Sequence, residues 1–283
     1  MSIKALNALN PLAHRSRALV VTAAAVGLSS LFTAAVAAQT AVSQPLRPKP
    51  TIVLVHGAWA DASSWNGVTK RLQREGYKVM APANPLRGTI SDSAYMASVL
   101  ASVPGPIVLV AHSYGGAVIT NAATGIPNVK ALVYVAAFIP DMGETAPDLF
   151  KFPGSLIVLP PSPDATLTAR PFPGGVDFYV NADPFRKIFA ADLPAEQTAL
   201  MAAGQRPLAL AAFTDASGPP AWKTIPTWAL VTTQDNTIGT ANTRFMAQRA
   251  APSRTVEIAA SHAVMLSHPD AVVDLIHRAV RSI

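Results

Sequence analysis

The chain has 283 residues and no cysteine; half of its residues are hydrophobic and only 13% are charged. Its formal net charge is +6, but the basic residues are scattered, without the basic patch that is typical of nucleic-acid-binding proteins. The composition therefore excludes disulfides and thiol catalysis and gives no indication of a nucleic-acid partner.

Residues 1–38 have the layout of a secretory signal peptide. Basic residues and no acidic ones come first, then an apolar run from Ala18 to Ala37, then small residues. Cleavage is predicted after Ala37 or Ala38, followed by export to the periplasm or the medium without stable membrane association. The alternative is an uncleaved N-terminal anchor, because about 20 apolar residues are enough to span a bilayer.

A short linker, residues 39–50, leads into alternating strand and helix patterns. Continuous apolar runs predict buried strands, and apolar residues at helical spacing predict the helices between them. The predicted strands are 51–55, 78–82, 107–112, 131–138, 227–232 and 254–259, and the predicted helices start at Trp65 and cover 92–103, 114–124, 241–250 and 270–283. This alternation predicts one α/β domain over 51–283, with a mostly parallel sheet and helices on both faces.

The alternation stops between Pro140 and Pro226, where prolines are frequent. Only short helical patches occur there, at 184–190 and 195–203. Because so long a loop without structure is implausible in a compact domain, residues 141–225 are interpreted as an inserted helical cap between two strands of the sheet.

Ser113 follows the strand 107–112 directly, and a helix pattern begins straight after it. Small residues, Ala111 and Gly115, lie two positions on either side, so the sequence fits the nucleophile-elbow pattern G-x-S-x-G with alanine in the first position. Such a turn exposes the serine oxygen and directs the N–H of Tyr114 towards a reacting carbonyl. The alternative is a glycine-rich turn with an incidental serine.

Candidate partners follow Ser113 in the chain order serine, acid, histidine that is usual for this elbow. Asp235 comes just after the strand 227–232, and His262 just after the strand 254–259. We expect His262 to act as the general base and Asp235 to orient it. Asp141, after an earlier strand, is the alternative acid.

The loop His56-Gly57-Ala58-Trp59 follows the first strand. The backbone N–H of Ala58 is expected to complete an oxyanion hole with that of Tyr114. The side chains of His56 and His112 are interpreted as structural.

These motifs, together with Gln234-Asp235 and Ser261 to Leu266, resemble the α/β-hydrolase superfamily, and within it the branch of plant methyl esterases and hydroxynitrile lyases with their bacterial esterase-like relatives. The resemblance implies a sheet of about six strands. The lyases of that branch need a threonine and a lysine at positions that match Gly57 and Ala263, so cyanohydrin cleavage is not expected. A serine nucleophile also argues against dehalogenases and epoxide hydrolases, which use a carboxylate.

The sequence thus predicts a serine hydrolase of small, largely apolar carboxylic esters, without cofactor or metal. Besides Tyr114, the residues expected to line its substrate pocket are Trp59, Phe138, Phe178, Trp222 and Ile238. Two alternatives stay open: an amide, carbamate or lactone hydrolase or a perhydrolase that uses the same triad, and a ligand-binding protein with a vestigial triad.

Overall fold

Nine strands and nine α-helices make up the computed structural model, which describes residues 48–283. The predicted leader, its cleavage positions and residues 39–47 of the linker lie outside the described residues. The strands are β1 (Thr51–Val55), β2 (Val79–Met80), β3 (Ile107–His112), β4 (Val129–Val135), β5 (Leu167–Phe172), β6 (Gly175–Val180), β7 (Leu208–Ala209), β8 (Thr227–Thr232) and β9 (Thr255–Ile258). The helices are α1 (Asn66–Arg74), α2 (Thr89–Ala101), α3 (Tyr114–Ala122), α4 (Ala182–Phe189), α5 (Ala195–Gly204), α6 (Ala211–Thr214), α7 (Thr240–Ala250), α8 (Val264–Ser267) and α9 (Pro269–Val280).

Six of the strands form one parallel sheet in the order β2-β1-β3-β4-β8-β9. The predicted α/β fold with a parallel sheet of about six strands is therefore confirmed. The chain order reverses direction between β1 and β3, which makes their carboxyl ends the place where an open α/β sheet forms a crevice.

Both faces of the sheet are covered, as continuous apolar strands require. Val53 and Leu109 pack on one face with α2, α3, α7 and the cap. Their neighbours Ile52 and Val108 pack on the other face with α1 and α9. Alternate residues of each strand thus enter two separate hydrophobic clusters.

Strand β4 ends earlier than the apolar run predicts. The run continues to Phe138, but Ala136 has φ of 43°, a left-handed conformation that turns the chain out of the strand after Val135. The turn brings the carbonyl oxygen of Phe138 against Gly116 of α3, so the end of β4 supports the segment that follows Ser113.

The cap between β4 and β8 contains the two expected helices, α4 and α5, the short helix α6 and a sheet that the sequence did not predict. Strands β5, β6 and β7 form this antiparallel sheet, with β5 at its edge. Pro171 lies within β5, and a proline in the sequence normally argues against a strand. An edge strand can accommodate proline, because a residue there need not donate a backbone hydrogen bond. The cap therefore contains the predicted helices and, in addition, a small antiparallel sheet.

Candidate active site

Three of the predicted site residues follow strands of the parallel sheet at its carboxyl edge. Ser113 follows β3, Asp235 follows β8 and His262 follows β9. Ser113 has φ of 54° and ψ of −128°, a strained conformation for a residue other than glycine. The strand and helix that flank Ser113 hold it in this turn, with the side chain at the sheet edge.

The sharp turn at Ser113 depends on residues without side chains around it. A Cβ atom on Gly115 would lie 2.8 Å from the carbonyl oxygens of Val55 and His56. A Cβ atom on Gly116 would lie 2.2 Å from the carbonyl oxygen of Phe138. Only glycine at positions 115 and 116 therefore allows helix α3 to lie so close to the ends of β1 and β4.

We predict that Gly116→Ala destabilises the protein, because the added methyl group meets rigid backbone. Overpacking of this kind costs about 1–3 kcal/mol or more in the free energy of unfolding, measured by urea denaturation. Gly204→Ala is the matched control, since nothing lies within 4 Å of its added Cβ, and it should leave stability unchanged or slightly raised. Equal stability of the two variants would contradict the close approach.

His262 and Asp235 form a fully buried pair. The Nδ1 atom of His262 lies 2.9 Å from Oδ2 of Asp235, and neither side chain is exposed to solvent. The other carboxylate oxygen accepts hydrogen bonds from the backbone N–H groups of Thr237 (2.8 Å) and Ile238 (2.9 Å). With Nδ1–H donating to the carboxylate, the Nε2 atom of His262 carries the lone pair.

Burial raises the pKa of Asp235, but His262 and the two backbone N–H donors outweigh burial and hold that pKa below its usual value. Asp235 is therefore a carboxylate at neutral pH. Neither Nε2 of His262 nor Oγ of Ser113 has a hydrogen-bond partner among residues 48–283. The site thus offers an unbonded base and an unbonded hydroxyl, and catalytic hydrogen bonds are often loose before a substrate binds.

Asp141, the alternative acid, is engaged elsewhere. Its carboxylate forms an ion pair with Lys223 and accepts a hydrogen bond from the backbone N–H of Met142. The hydrogen bond from Lys223 keeps the pKa of Asp141 below its usual value. Asp235, and not Asp141, is the carboxylate that contacts His262.

The backbone N–H groups of Ala58 and Tyr114 have no hydrogen-bond partner within the described part of the chain. Both residues line the same cavity as Ser113. The N–H of Tyr114 lies in the first turn of α3, where backbone N–H groups have no partner within the helix. Two free donors beside a serine are the elements that an oxyanion hole requires.

The loop that carries Ala58 is held in place on both sides. His56 donates from Nδ1 to the carbonyl oxygen of Gly57 (2.9 Å) and accepts at Nε2 from the backbone N–H of Asn84 (3.0 Å). The indole N–H of Trp59 donates to the carbonyl oxygen of Phe178 in the cap (3.0 Å). A Cβ atom on Gly57 would lie 2.6 Å from that of Ser113, so a threonine does not fit at this position without a shift.

His112 lies between the sheet and the loop of His262. Its Nε2 atom is 2.9 Å from the carbonyl oxygen of His262, and the two imidazole rings are 4.5 Å apart. Because an oxygen acceptor faces Nε2, that nitrogen carries the proton of a neutral ring. Burial holds the pKa of His112 well below its usual value, and burial lowers that of His56 as well.

These lowered pKa values predict a loss of stability in mild acid. A histidine that binds its proton more readily when unfolded destabilises the fold as the pH falls below about 6.5. We expect the free energy of unfolding to decrease from pH 7.5 to 5.5, by up to about 1.4 kcal/mol per pH unit for each such histidine. His112→Gln keeps an N–H donor but does not titrate, so its stability should depend less steeply on pH. Equal slopes in denaturant titrations would contradict the assignment.

The cavity next to Ser113 is lined mainly by apolar side chains. Three predicted pocket residues, Trp59, Tyr114 and Phe138, lie in its wall. The cap contributes further members that sequence reasoning missed: Leu149, Phe150, Ile157, Leu208 and Phe213. These lie in the proline-rich segment, where no periodicity marks a buried face, and the sequence holds no signal that singles them out.

Three other predicted pocket residues lie elsewhere. Phe178 packs against Phe213 behind the cavity wall, with ring centroids 5.6 Å apart. Trp222 donates its indole N–H to the carbonyl oxygen of Pro140 (2.8 Å), and Ile238 is fully buried in the core. None of the three lines this cavity, so the structure does not bring them together with Ser113 as the sequence predicts.

The charged residues in the cavity wall are both acidic. Glu144 is paired with Arg249, and Asp215 accepts a hydrogen bond from the backbone N–H of Ile90 (3.1 Å). The wall contains neither lysine nor arginine. The cavity therefore disfavours an anionic ligand.

Residues 48–283 contain no cluster of three or more His, Cys, Asp or Glu side chains that could bind a metal ion. The helices within this range are also too short or too polar to span a membrane.

A family model described as the alpha/beta hydrolase family matches residues 52–275. The chain is 32% identical over 106 residues to a carbendazim hydrolyzing esterase of Nocardioides. This match covers 33% of this chain and 44% of the esterase. The chain is also 33% identical over 117 residues to a pyrethroid hydrolase of Sphingobium wenxiniae, and this match covers 36% of this chain and 41% of the hydrolase. The matched stretches thus span less than half of either relative.

Among solved structures, a methylesterase from Arabidopsis has a similar fold. The two structures have a TM-score of 0.68 and 20% sequence identity, over 83% of this chain and all of the methylesterase chain. At this identity the likeness concerns the fold.

Proposed function

The chain belongs to the alpha/beta hydrolase family, and we propose that it is a serine hydrolase that cleaves carboxylic esters of small, largely apolar substrates. One observation carries the proposal: Asp235 and His262 form a buried pair, and Nε2 of His262 has no hydrogen-bond partner within residues 48–283. The loop of His262 lies at the same edge of the sheet as Ser113, which has a strained backbone conformation. A ligand-binding protein has no use for an unbonded base fixed in one tautomer.

In the proposed reaction, Nε2 of His262 takes the proton from Ser113 as Oγ attacks the ester carbonyl carbon. The negative charge that develops on the carbonyl oxygen is stabilised by the N–H groups of Ala58 and Tyr114. His262 then protonates the leaving alcohol, and the carbon–oxygen bond of the ester breaks to give an acyl-enzyme. Water, deprotonated by His262, attacks the acyl group and releases the acid.

Asp235 stabilises the imidazolium form of His262 in both halves of the reaction. The two backbone donors at Thr237 and Ile238 keep its carboxylate ionised and oriented towards Nδ1. Asp235 itself stays unprotonated throughout.

The cavity wall supports the choice of substrate. Aromatic and aliphatic side chains surround Ser113, and the two acidic residues disfavour anionic ligands. The two relatives are named for the hydrolysis of carbendazim and of pyrethroids. We therefore propose uncharged esters with an apolar acyl group.

Pre-steady-state kinetics with p-nitrophenyl esters of increasing acyl length test the proposal. We expect a burst of nitrophenolate close to one equivalent per site, and labelling of Ser113 by a fluorophosphonate probe, located by peptide mass spectrometry. Absence of both would contradict a serine hydrolase. Labelling without turnover of any ester would favour the amide, carbamate or lactone alternatives.

Export is proposed from the leader pattern of residues 1–38 alone. We expect the mature protein to begin at Ala38 or Gln39 and to fractionate with the periplasm or the medium, which intact-mass measurement checks. Recovery of the full 29.5 kDa chain in the membrane pellet would favour the anchor.

A further inference from the structure

The carboxyl end of the cap helix α4 meets the loops that carry Asp235 and His262. We call residues 187–192 the α4 terminus. Three successive carbonyl groups of this segment, those of Lys187, Ile188 and Phe189, accept hydrogen bonds from the two loops. The last carbonyl groups of a helix have no partner within the helix, so they are free to bind neighbouring elements.

The loop of Asp235 supplies two of these donors. The Asn236 side-chain amide donates to the carbonyl oxygen of Lys187 (2.9 Å), and the Thr237 hydroxyl donates to that of Ile188 (2.8 Å). Thr237 also donates its backbone N–H to the carboxylate of Asp235. One residue thus joins the acid to the cap.

The loop of His262 is held on both sides of the histidine. The backbone N–H of Ala263 donates to the carbonyl oxygen of Phe189 (3.1 Å). Ser261 donates its backbone N–H to Oδ2 of Asp192 (3.0 Å) and its hydroxyl to Oδ1. The ring of Phe189 packs edge-on against that of His262, with centroids 5.2 Å apart.

We propose that the α4 terminus is a positioning element, which holds the side chains of Asp235 and His262 in a fixed relative position. Asp192, on this element, and Thr237, which binds to it, are the key positioning residues. This inference rests on the proposed function. Asp235 and His262 belong to loops after the neighbouring strands β8 and β9, which backbone hydrogen bonds from Thr233 and Gln234 also join. The α4 terminus adds contacts at the residues next to the acid and the base themselves. Small displacements of a catalytic base are costly, since about 1 Å can lower the rate by a factor of about 100.

The α4 terminus itself carries Lys187 and Asp192, and Arg186 directly precedes it. His262 faces Asp235 and the neutral His112, while the Asp192 carboxylate has Ser261 on one side and His268 on the other, with Nδ1 at 3.9 Å. If the two loops lose their hydrogen bonds to the α4 terminus, the contact between Asp235 and the imidazolium of His262 becomes weaker.

The test compares wild type, Asp192→Asn, Thr237→Val and Thr237→Ser with the best ester substrate. Asparagine at 192 cannot accept both bonds from Ser261, and valine at 237 keeps the shape but lacks the hydroxyl. We expect kcat of both to fall by about 10- to 100-fold, with KM within about twofold of wild type. Thr237→Ser keeps the hydroxyl and should stay close to wild type.

Asp183→Asn is the matched control, because it removes one acidic charge from the exposed first turn of the same helix. It should leave kcat and KM unchanged. Wild-type kcat in the folded Asp192→Asn and Thr237→Val variants, or an equal loss in Asp183→Asn, would overturn the inference.

A second readout does not need turnover. The His262 Nδ1 proton, hydrogen-bonded to a buried carboxylate, should give a deshielded proton NMR resonance that broadens in Asp192→Asn and Thr237→Val but not in Asp183→Asn. An unchanged resonance overturns the positioning role. Failure of the proposed function looks different: wild type would not hydrolyse esters, or Ser113→Ala would still do so.

Discussion

Ser113→Ala is expected to lower kcat for ester hydrolysis by about 10⁴- to 10⁶-fold, the loss seen when a triad nucleophile is removed. The alanine variant lacks the oxygen that forms the acyl-enzyme, while the free donors of Ala58 and Tyr114 remain and account for residual activity. The fold should persist, because Oγ of Ser113 makes no hydrogen bond within residues 48–283.

The measurement is steady-state hydrolysis by purified wild type and variant, with circular dichroism to verify folding. Ser98→Ala, on the exposed face of α2, is the control for a neutral serine change. If Ser113→Ala keeps more than about a tenth of the wild-type kcat, the nucleophile assignment is wrong.

Asp235→Asn should cost about 10⁴-fold in kcat, and the contacts of Asp235 give the reason. The Asn side-chain oxygen would go on accepting from the N–H groups of Thr237 and Ile238, so its NH₂ group would face Nδ1 of His262. A donor at that place forces the imidazole into the tautomer with hydrogen on Nε2. This tautomer cannot accept the proton of Ser113.

Asp141→Asn makes the same chemical change at the alternative acid. Asp141 lies beside Lys223 at the protein surface, so we expect its kcat to remain within a few-fold of wild type. A larger loss at Asp141 than at Asp235, measured with the same ester, would move the acid to the end of β4.

The central strands were predictable because strands that are buried on both faces consist of continuous apolar residues. The apolar runs at Thr51–Val55 and Thr227–Thr232 match β1 and β8 residue for residue. The end of β4 was not predictable, because the left-handed turn at Ala136 depends on its surroundings and not on the preference of alanine.

The candidate site divides in the same way. Ser113, Asp235 and His262 stand out because each follows a strand, and strand ends can be read from the sequence. The cavity wall is formed largely by the cap, where the local sequence does not determine which side of a segment is covered. Phe178 and Phe213 show the difficulty: both are buried aromatic residues in contact, yet only Phe213 lines the cavity.

Hydrogen bonds join the cap to the loops of Ala58 and His262, so a movement of the cap away from the sheet would have to break them. The amide of Ala263 donates to the cap at Phe189, and that of Trp59 donates to the cap at Arg206 (3.1 Å). Neither amide can exchange with solvent while its acceptor is in place. A ligand that entered by lifting the cap would therefore expose both amides to solvent, and their protection would return only when the cap had closed over it.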